Sequence, residues 1–516
     1  MYKLTEKLYG AIARVIRFLL HRVVLVSLSL AAQIIVLAVT IYYFRSHYAW
    51  LYGLFALISL CVLLWILNTH TNPAYQIAWL IPILVFPVFG ALLYLLLGGN
   101  RIGKREKKRM LQFGMKSSLP EDPEVREEIS AYDPGAAVQS GYLTHLGGGP
   151  LYRDNGSVYF SSGEAYYADL VKRLKNAKQT IWLEFFIIAE GELWNSILEI
   201  LKEKAKNGLD IRVIYDDFGS ITRLPVNYAR KLRAAGIRCH VFNPYIPVLN
   251  GRMNNRDHKK ILVIDGCYGY TGGMNLADEY VNQISRFGHW KDNGILIQGP
   301  AVLSLAGMFL DLWNYLDRSS DSVKVSEFFP QQASKGFVQP YMDSPLDNEP
   351  VGQTVYRNLI GRAVRSIYIM TPYLIIDNEI ENGLIAAAKS GVDVRIVLPG
   401  IPDKRSVHLV SQSTYPVLIN AGVRIFEYSP GFVHSKVFCV DGRYATVGTV
   451  NLDFRSLYLH FENGVWLCDA DCIRQIEQDF ADTFPLCHEI TSDELAGTSK
   501  FKQLRQALLR TFGPML

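Results

Sequence analysis

HSKVFCVDGRYATVGTVN (434–451) is the second appearance of a pattern written earlier in the chain as HKKILVIDGCYGYTGGMN (258–275). The first copy sets out His258, Lys260, Asp265, Gly272, Gly273 and Asn275, and the second His434, Lys436, Asp441, Gly448, Thr449 and Asn451. ILVI (261–264) and VFCV (437–440) are short apolar runs rich in β-branched residues, so each His-x-Lys should open a buried strand. Residues two apart on a strand share a face, which would send His and Lys into one site. The Asp-Gly pairs that follow should reverse the chain, and the next short strand ends at Gly-Gly or Gly-Thr. There the backbone is expected to approach a ligand closely, and the Asn supplies a neutral donor. An imidazole, an ammonium and an amide converging on one point suit a phosphate group. Two such sets would form a cage with two histidines, one a nucleophile and one a proton donor.

The repeat extends beyond these motifs. NAKQTIWLEFF (176–186) pairs with RAVRSIYIMTP (362–372), NGLDIRVIYD (207–216) with SGVDVRIVLP (390–399), and RAAGIRCHVF (233–242) with INAGVRIFEY (419–428). Between the last pair and the histidine motif the first copy is ten residues longer, in an apolar-rich loop, 243–257. Each half alternates apolar strands with helical stretches, which predicts α/β domains with largely parallel, mixed sheets flanked by helices. The expected boundaries are 151–318 and 351–490, joined by a Ser-, Asp- and Pro-rich linker at 319–350.

Upstream the composition changes. From Ser46 to Asn100 there is no Asp, Glu, Lys or Arg. Apolar segments at 23–44, 48–67 and 77–97 each approach the ~20 residues that cross a bilayer as helix. Pro82, Pro87 and Gly90 interrupt the third, so two spans are expected, with 73–98 re-entrant or interfacial. Residues 1–22 read as a basic amphipathic helix. RIGKREKKR (101–109) is basic too, within a stretch and linker at 99–150 that carries Pro120, Pro123 and Pro134. Positive flanks on both sides place the termini of this region, and the domains that follow, in the cytoplasm. At the other end, 491–516 has Phe501, Leu504, Leu508 and Phe512 at helical spacing among Lys and Arg, an amphipathic helix suited to packing or to a membrane surface.

The formal charge of +5 over 516 residues is too mild to argue for nucleic acid, and no extended basic, aromatic-laced groove is written in the chain. The seven cysteines form no CxxC pair and read as reduced core thiols. There is no HExxH, P-loop or GxGxxG before a helix, so no metal, nucleotide or other cofactor is expected.

The doubled H-x-K-x4-D pattern resembles the phospholipase D superfamily. The order of membrane helices, NPAYQIAWLIPILVFPVFG (72–90), basic stretch and two motif copies resembles the bacterial cardiolipin synthases over nearly the whole chain, and WKDNGILIQGPAV (290–302) and GTVNLDFRS (448–456) are close to their pattern. LYLHFEN (457–463) departs from it, having His where that family more often has Asn. The resemblance implies phosphatidyl transfer between two phosphatidylglycerol molecules through a phosphohistidine, in an enzyme of the bacterial inner membrane whose partners are anionic lipids. It leaves self-association into a homo-oligomer open. A membrane-bound phospholipase D is the alternative. The resemblance makes His258 the nucleophile and His434 the acid/base, counts Lys260, Lys436, Asp265 and Asp441 in the catalytic signature, and gives Asn275 and Asn451 to the phosphate oxygens. Seven residues along a strand carry Asp265 and Asp441 too far to reach the phosphate, which suits them to supporting hydrogen bonds. Asp292 and Glu462, each followed by Asn-Gly, are then the acids that orient a histidine or line the substrate site.

Overall fold

The computed structural model describes residues 22–47, 49–69, 71–98, 104–113, 119–244, 254–322, 334–347 and 349–515. The proposed helix at 1–22 and most of the 243–257 loop lie outside these residues. The strand following each catalytic motif, Lys260–Ile264 or Val437–Val440, is buried along its length. This explains its unbroken apolar run, since a strand covered on both faces has no polar side to show.

Lys260–Ile264 lies mid-sheet. The first half builds seven strands in the order Val158–Phe160, Gly294–Gln298, Tyr268–Gly272, Lys260–Ile264, Thr180–Phe185, Asp210–Asp216, Arg238–Phe242. The second half builds nine, with Val437–Val440 between Tyr444–Gly448 and Ser366–Met370. The expectation of largely parallel sheets is corrected. Within these two sheets, among the described residues, pairing is parallel only across Thr180–Phe185, Asp210–Asp216 and Arg238–Phe242, and across their counterparts Ser366–Met370, Asp393–Pro399 and Arg424–Tyr428. The remaining pairs in each sheet are antiparallel, because each motif strand turns straight back on itself at Asp265-Gly266 or Asp441-Gly442. All four turn residues have positive φ, between 52° and 65°, which Asp tolerates and Gly favours.

The two sheets face one another across a shared core. Ile261, Val263, Ile295 and Ile297 from the first pack in one cluster with Val437, Cys439, Val447 and Val465 from the second. The helix Val302–Asp317 adds Phe309 and Trp313 to that cluster and is buried over almost its whole length. Separate outer cores lie between each sheet and its remaining helices.

Three sequence-derived boundaries shift. The 319–350 segment is no simple linker: Phe337–Asp343 is a strand of the second sheet, paired with Glu462–Cys468. Tyr152–Arg153, assigned above to the first domain, pairs with that same strand. Within 99–150 two of the prolines, Pro123 and Pro134, start helices. Asp122 and Asp133 cap Pro123–Tyr132 and Pro134–Leu146, with proline at the first helical position of each, and Val125, Ile129, Ala136 and Leu143 join the second half's outer core.

At the N-terminus two long helices, Arg22–His47 and Ala49–Leu67, precede two shorter ones, Pro73–Val85 and Pro87–Leu97, broken at Phe86. Among the described residues no helix is long and apolar enough to cross a membrane, and both long helices contain side chains outside that set. The structure therefore does not establish the two expected spans. It does show an apolar exterior: Leu28, Ile35, Val36, Val39, Trp50, Leu57, Leu60, Trp65, Leu84 and Phe86 are all more than half exposed. The C-terminal segment forms Ser492–Ala496 and Lys500–Thr511, the latter lying on Arg405–Ile419 with Phe501, Leu504 and Leu508 turned outward.

Candidate active site

The two halves exchange strands where the motifs begin. Asp257 forms a parallel bridge with Phe461, and the His258 N–H donates to the Phe461 carbonyl at 2.9 Å. Symmetrically, Gly431–Val433 pairs in parallel with His289–Lys291, and the His434 N–H donates to the Lys291 carbonyl at 2.7 Å. Each histidine is thus seated beside the residue that precedes the other half's acid. His258 Nδ1 lies 2.9 Å from both carboxylate oxygens of Glu462, and His434 Nδ1 lies 2.9 Å from Asp292 Oδ2. A carboxylate only accepts, so Nδ1 carries the proton and each Nε2 keeps its lone pair.

Burial sets the charges. Asp292 and Glu462 are wholly buried, and His258 and His434 nearly so. Burial alone would raise the two acids. The facing imidazoles, joined by Lys436 at Asp292, reverse this and hold both carboxyls below their ordinary range. The histidines move the other way: burial draws His258 down to about 3 against the pull of Glu462, and His434 down to about 4 against that of Asp292. At neutral pH the site therefore holds two uncharged imidazoles on two carboxylates, the protonation state a nucleophile requires.

The lysines stand beside them. Lys260 Nζ donates to the His258 carbonyl at 2.6 Å, and Lys436 Nζ to that of His434. Each is almost completely buried, and burial lowers Lys260 to about 8 and Lys436 to about 7. Their backbones are braced across the interface: Lys260 N–H donates to Asn463 Oδ1 at 3.4 Å and Lys436 N–H to Asn293 Oδ1 at 3.2 Å. This is the use of the Asn-Gly that follows each acid. Each motif thus sets a buried ammonium against the backbone of its own histidine, an arrangement chemically suited to an anion.

The other expected residues sort differently. Asp265 and Asp441 sit at the far end of their strands. Asp265 accepts the backbone N–H groups of Lys178, Gln179 and Thr180, and Asp441 those of Val364, Arg365 and Ser366. Each ties its motif strand to the start of the neighbouring strand in the same sheet, and neither belongs among residues that touch substrate. Asn275 is engaged structurally: its Oδ1 accepts from Ile187 N–H and its Nδ2 donates to Tyr280. Asn451 keeps a buried Oδ1 with no hydrogen-bond partner. Asp292 and Glu462, entered above also as substrate contacts, stand behind the histidines. The glycines serve closeness of chain to chain, since a Cβ on Gly273 would meet Asp292 Oδ1 at 2.0 Å and one on Gly448 the Asn463 carbonyl at 2.4 Å.

Sequence reasoning gives no role to several further partners. Thr449 Oγ1 donates to Glu462 Oε2, and Trp290 Nε1 to Asp292 Oδ2 at 3.2 Å, so each acid has a second donor. Phe186 packs on His258, and Tyr280 and Trp290 on His434, each with ring centroids 5.0 to 5.3 Å away. Two residues before His258, buried Arg256 pairs with Asp216, which also accepts the Asp257 N–H. The third imidazole of the site, His460, has its ring centroid 5.6 Å from that of His258.

The sequence profile described as "Cardiolipin synthase, PLD-like domain" matches residues 170–310 and 356–484, the two halves that carry this site. The chain belongs to the cardiolipin synthase family of phospholipase D-like proteins. A second profile, described as "Phospholipase_D-nuclease N-terminal", matches residues 54–99. Among relatives, the chain is 34% identical over 454 residues to cardiolipin synthase 2 of Bacillus cereus, covering 87% of this chain and 88% of that one. It is 34% identical over 477 residues to the cardiolipin synthase of Geobacillus kaustophilus, covering 90% and 94%. An uncharacterized protein of Streptococcus mutans is 38% identical over 457 residues, covering 88% and 99%. The fold is similar to that of phosphatidylserine synthase from Haemophilus influenzae, with TM-score 0.55 at 16% identity over 73% of this chain and 97% of that one.

Proposed function

We propose that this cardiolipin synthase family member transfers a phosphatidyl group from one phosphatidylglycerol to another, giving cardiolipin and glycerol. The observation that carries the proposal is the pair of buried imidazoles, each with Nδ1 on a carboxylate from the opposite half and each beside a buried lysine. His258 Nε2 attacks phosphorus and forms a P–N bond. The P–O bond to the departing glycerol breaks, and His434, protonated once the phosphate anion is bound beside it, gives that oxygen its proton. In the second step His434 takes the proton from a hydroxyl of the acceptor phosphatidylglycerol, the new P–O bond forms and the P–N bond breaks. Lys260 and Lys436 neutralise the non-bridging oxygens throughout.

Lipid substrates require a site at a bilayer. Arg22–His47 and Ala49–Leu67 are read as two spans and Pro73–Leu97 as a re-entrant or interfacial pair, with the catalytic halves on the cytoplasmic face of the bacterial inner membrane. A helix of 19 residues is about 28 Å long, close to the ~30 Å hydrocarbon core. The exposed apolar side chains of these helices would be costly in water and are at home in lipid.

The test is purified protein on vesicles of pure phosphatidylglycerol, with cardiolipin, glycerol and phosphatidate quantified and His258→Ala and His434→Ala alongside. Equimolar cardiolipin and glycerol, lost in both variants, supports the transferase. Phosphatidate as the main product would instead support the alternative, a membrane-bound phospholipase D using the same residues with water as acceptor.

A further inference from the structure

His460 stands beside Glu462 and His258 without a hydrogen bond to either. It is about nine-tenths buried, its side chain 11% exposed, yet neither ring nitrogen makes a hydrogen bond among the described residues. Its Nδ1 lies 3.7 Å from Glu462 Oε1, the same oxygen that stands 2.9 Å from His258 Nδ1. One donor atom from each of His258, His460 and Glu462 falls within 4.8 Å of the others. We propose that these three side chains form a binding site for a divalent transition ion of the zinc class, and that occupancy silences the nucleophilic imidazole.

The donor set is of the right kind, since two imidazoles and one carboxylate with an open fourth position suit zinc. Its spacing is close: donors about 2.1 Å from a tetrahedral ion lie roughly 3.4 Å apart, between the two distances above. Thr449 Oγ1 holds Glu462 Oε2 from behind and leaves Oε1 for the ion, the outer hydrogen bond that a ligating carboxylate needs. Lys260 and Lys436 oppose a cation, but Glu462 and Asp292 carry equal opposite charge into the same cage.

Coordination through Nδ1 explains the inhibition. In the metal-free site Nδ1 bears the proton and Nε2 the reactive lone pair. An ion bound at Nδ1 takes the lone pair there, and the proton shifts to Nε2, so the ring stays neutral and cannot attack phosphorus. The pseudo-symmetric site supplies a built-in contrast. Trp290 occupies beside His434 the place that His460 occupies beside His258, and an indole ligates nothing.

Control by a metal rests on His258 acting as nucleophile, whereas the binding site does not, so the test has two readouts. Full-length protein in detergent, stripped with chelator, is titrated with Co2+ and its visible absorption recorded. In parallel, Zn2+ is titrated into the phosphatidylglycerol assay, each variant being scaled to its own metal-free rate. Wild type should show one Co2+ band of the tetrahedral type and inhibition by micromolar Zn2+ but not by Mg2+. His460→Asn and His460→Gln should lose the band and raise the Zn2+ midpoint at least about tenfold. No band in wild type, or band and midpoint unchanged in both variants, overturns the site. A band lost in the variants without any Zn2+ inhibition of an active wild type overturns the silencing alone. A chain with no transfer activity still reports its metal site through the Co2+ spectrum.

Discussion

Replacing Glu462 by Gln isolates the part of the site that the two halves build jointly. The amide has nearly the carboxylate's volume and can still accept the Thr449 hydroxyl, His258 is already neutral, and Lys260, which loses the facing carboxylate, can release its proton because burial already lowers it to about 8. The stability cost should therefore stay near that of a weakened hydrogen bond, about 1–2 kcal/mol. Catalysis should suffer far more. A glutamine amide turned towards Nδ1 favours the tautomer with its proton on Nε2, and even an accepting glutamine cannot balance the charge that His258 gains as it attacks. An acid-to-amide change behind a catalytic histidine lowers rate about 10⁴-fold in the best-studied triad, or ~5.4 kcal/mol at 1.36 kcal/mol per decade. The assay is single-turnover transfer from phosphate-labelled phosphatidylglycerol vesicles, with acid-labile, alkali-stable label on protein read as phosphohistidine and thermal melting as the folding control. Labelled His258 should vanish in Glu462→Gln, and combining Glu462→Gln with His258→Ala should cost little more than His258→Ala alone. A loss below tenfold with the fold intact would refute the role given to Glu462.

Other outcomes follow from the same geometry. Because Lys436 and Lys260 are lowered to about 7 and about 8, kcat/KM should fall as pH rises through that range and the free site loses its positive charges. Unfolding would not be the cause: from those values up to the ordinary lysine pKa near 10.5 the unfolded chain binds more protons, so these two groups make the fold more stable as pH rises. Asp441→Asn should lower stability by roughly 1.5–3 kcal/mol, because a buried charged acceptor of three N–H groups is lost, while the rate per folded molecule stays near wild type. Gly273→Ala should push Asp292 off His434 and reduce turnover much as Asp292→Asn does, measured in the vesicle assay. Changing Phe501, Leu504 and Leu508 to Ser should weaken activity on phosphatidylglycerol diluted in zwitterionic vesicles and spare it in detergent micelles, if that outward face rests on the bilayer.

Much of the site was legible because its parts are periodic and doubled. His-x-Lys, the Asp-Gly turn and the acid before Asn-Gly recur at matching places in both halves, and repetition raises a weak local signal above chance. Exchange between the halves was harder to read: nothing in the chain says whether Glu462 faces His434, 28 residues away, or His258, and only the crossing of Phe461 with Asp257 decides it. The sheet was overread as parallel because alternating strands and helices dominate residues 163–242 and 351–428, while the antiparallel hairpins that follow are short. Pro123 and Pro134 read as linker punctuation in sequence, yet each follows an Asp that caps a helix. Thr449 stands in the repeated motif and His460 marks a departure from the family pattern, but neither they nor Trp290 show in sequence which partner they meet. Trp290 and His460 stand two residues before an acid and Thr449 thirteen before one and across a strand pair, and the contacts that result are visible only in three dimensions.

The exchange of acids also bears on the history of such a chain. After a duplication one copy is usually free to drift, because its twin keeps the work going. Here neither half holds a complete set: the histidine of each rests on a carboxylate of the other. A lesion in one copy would be felt in its sibling's chemistry, and two separately expressed halves would regain function only by finding each other again.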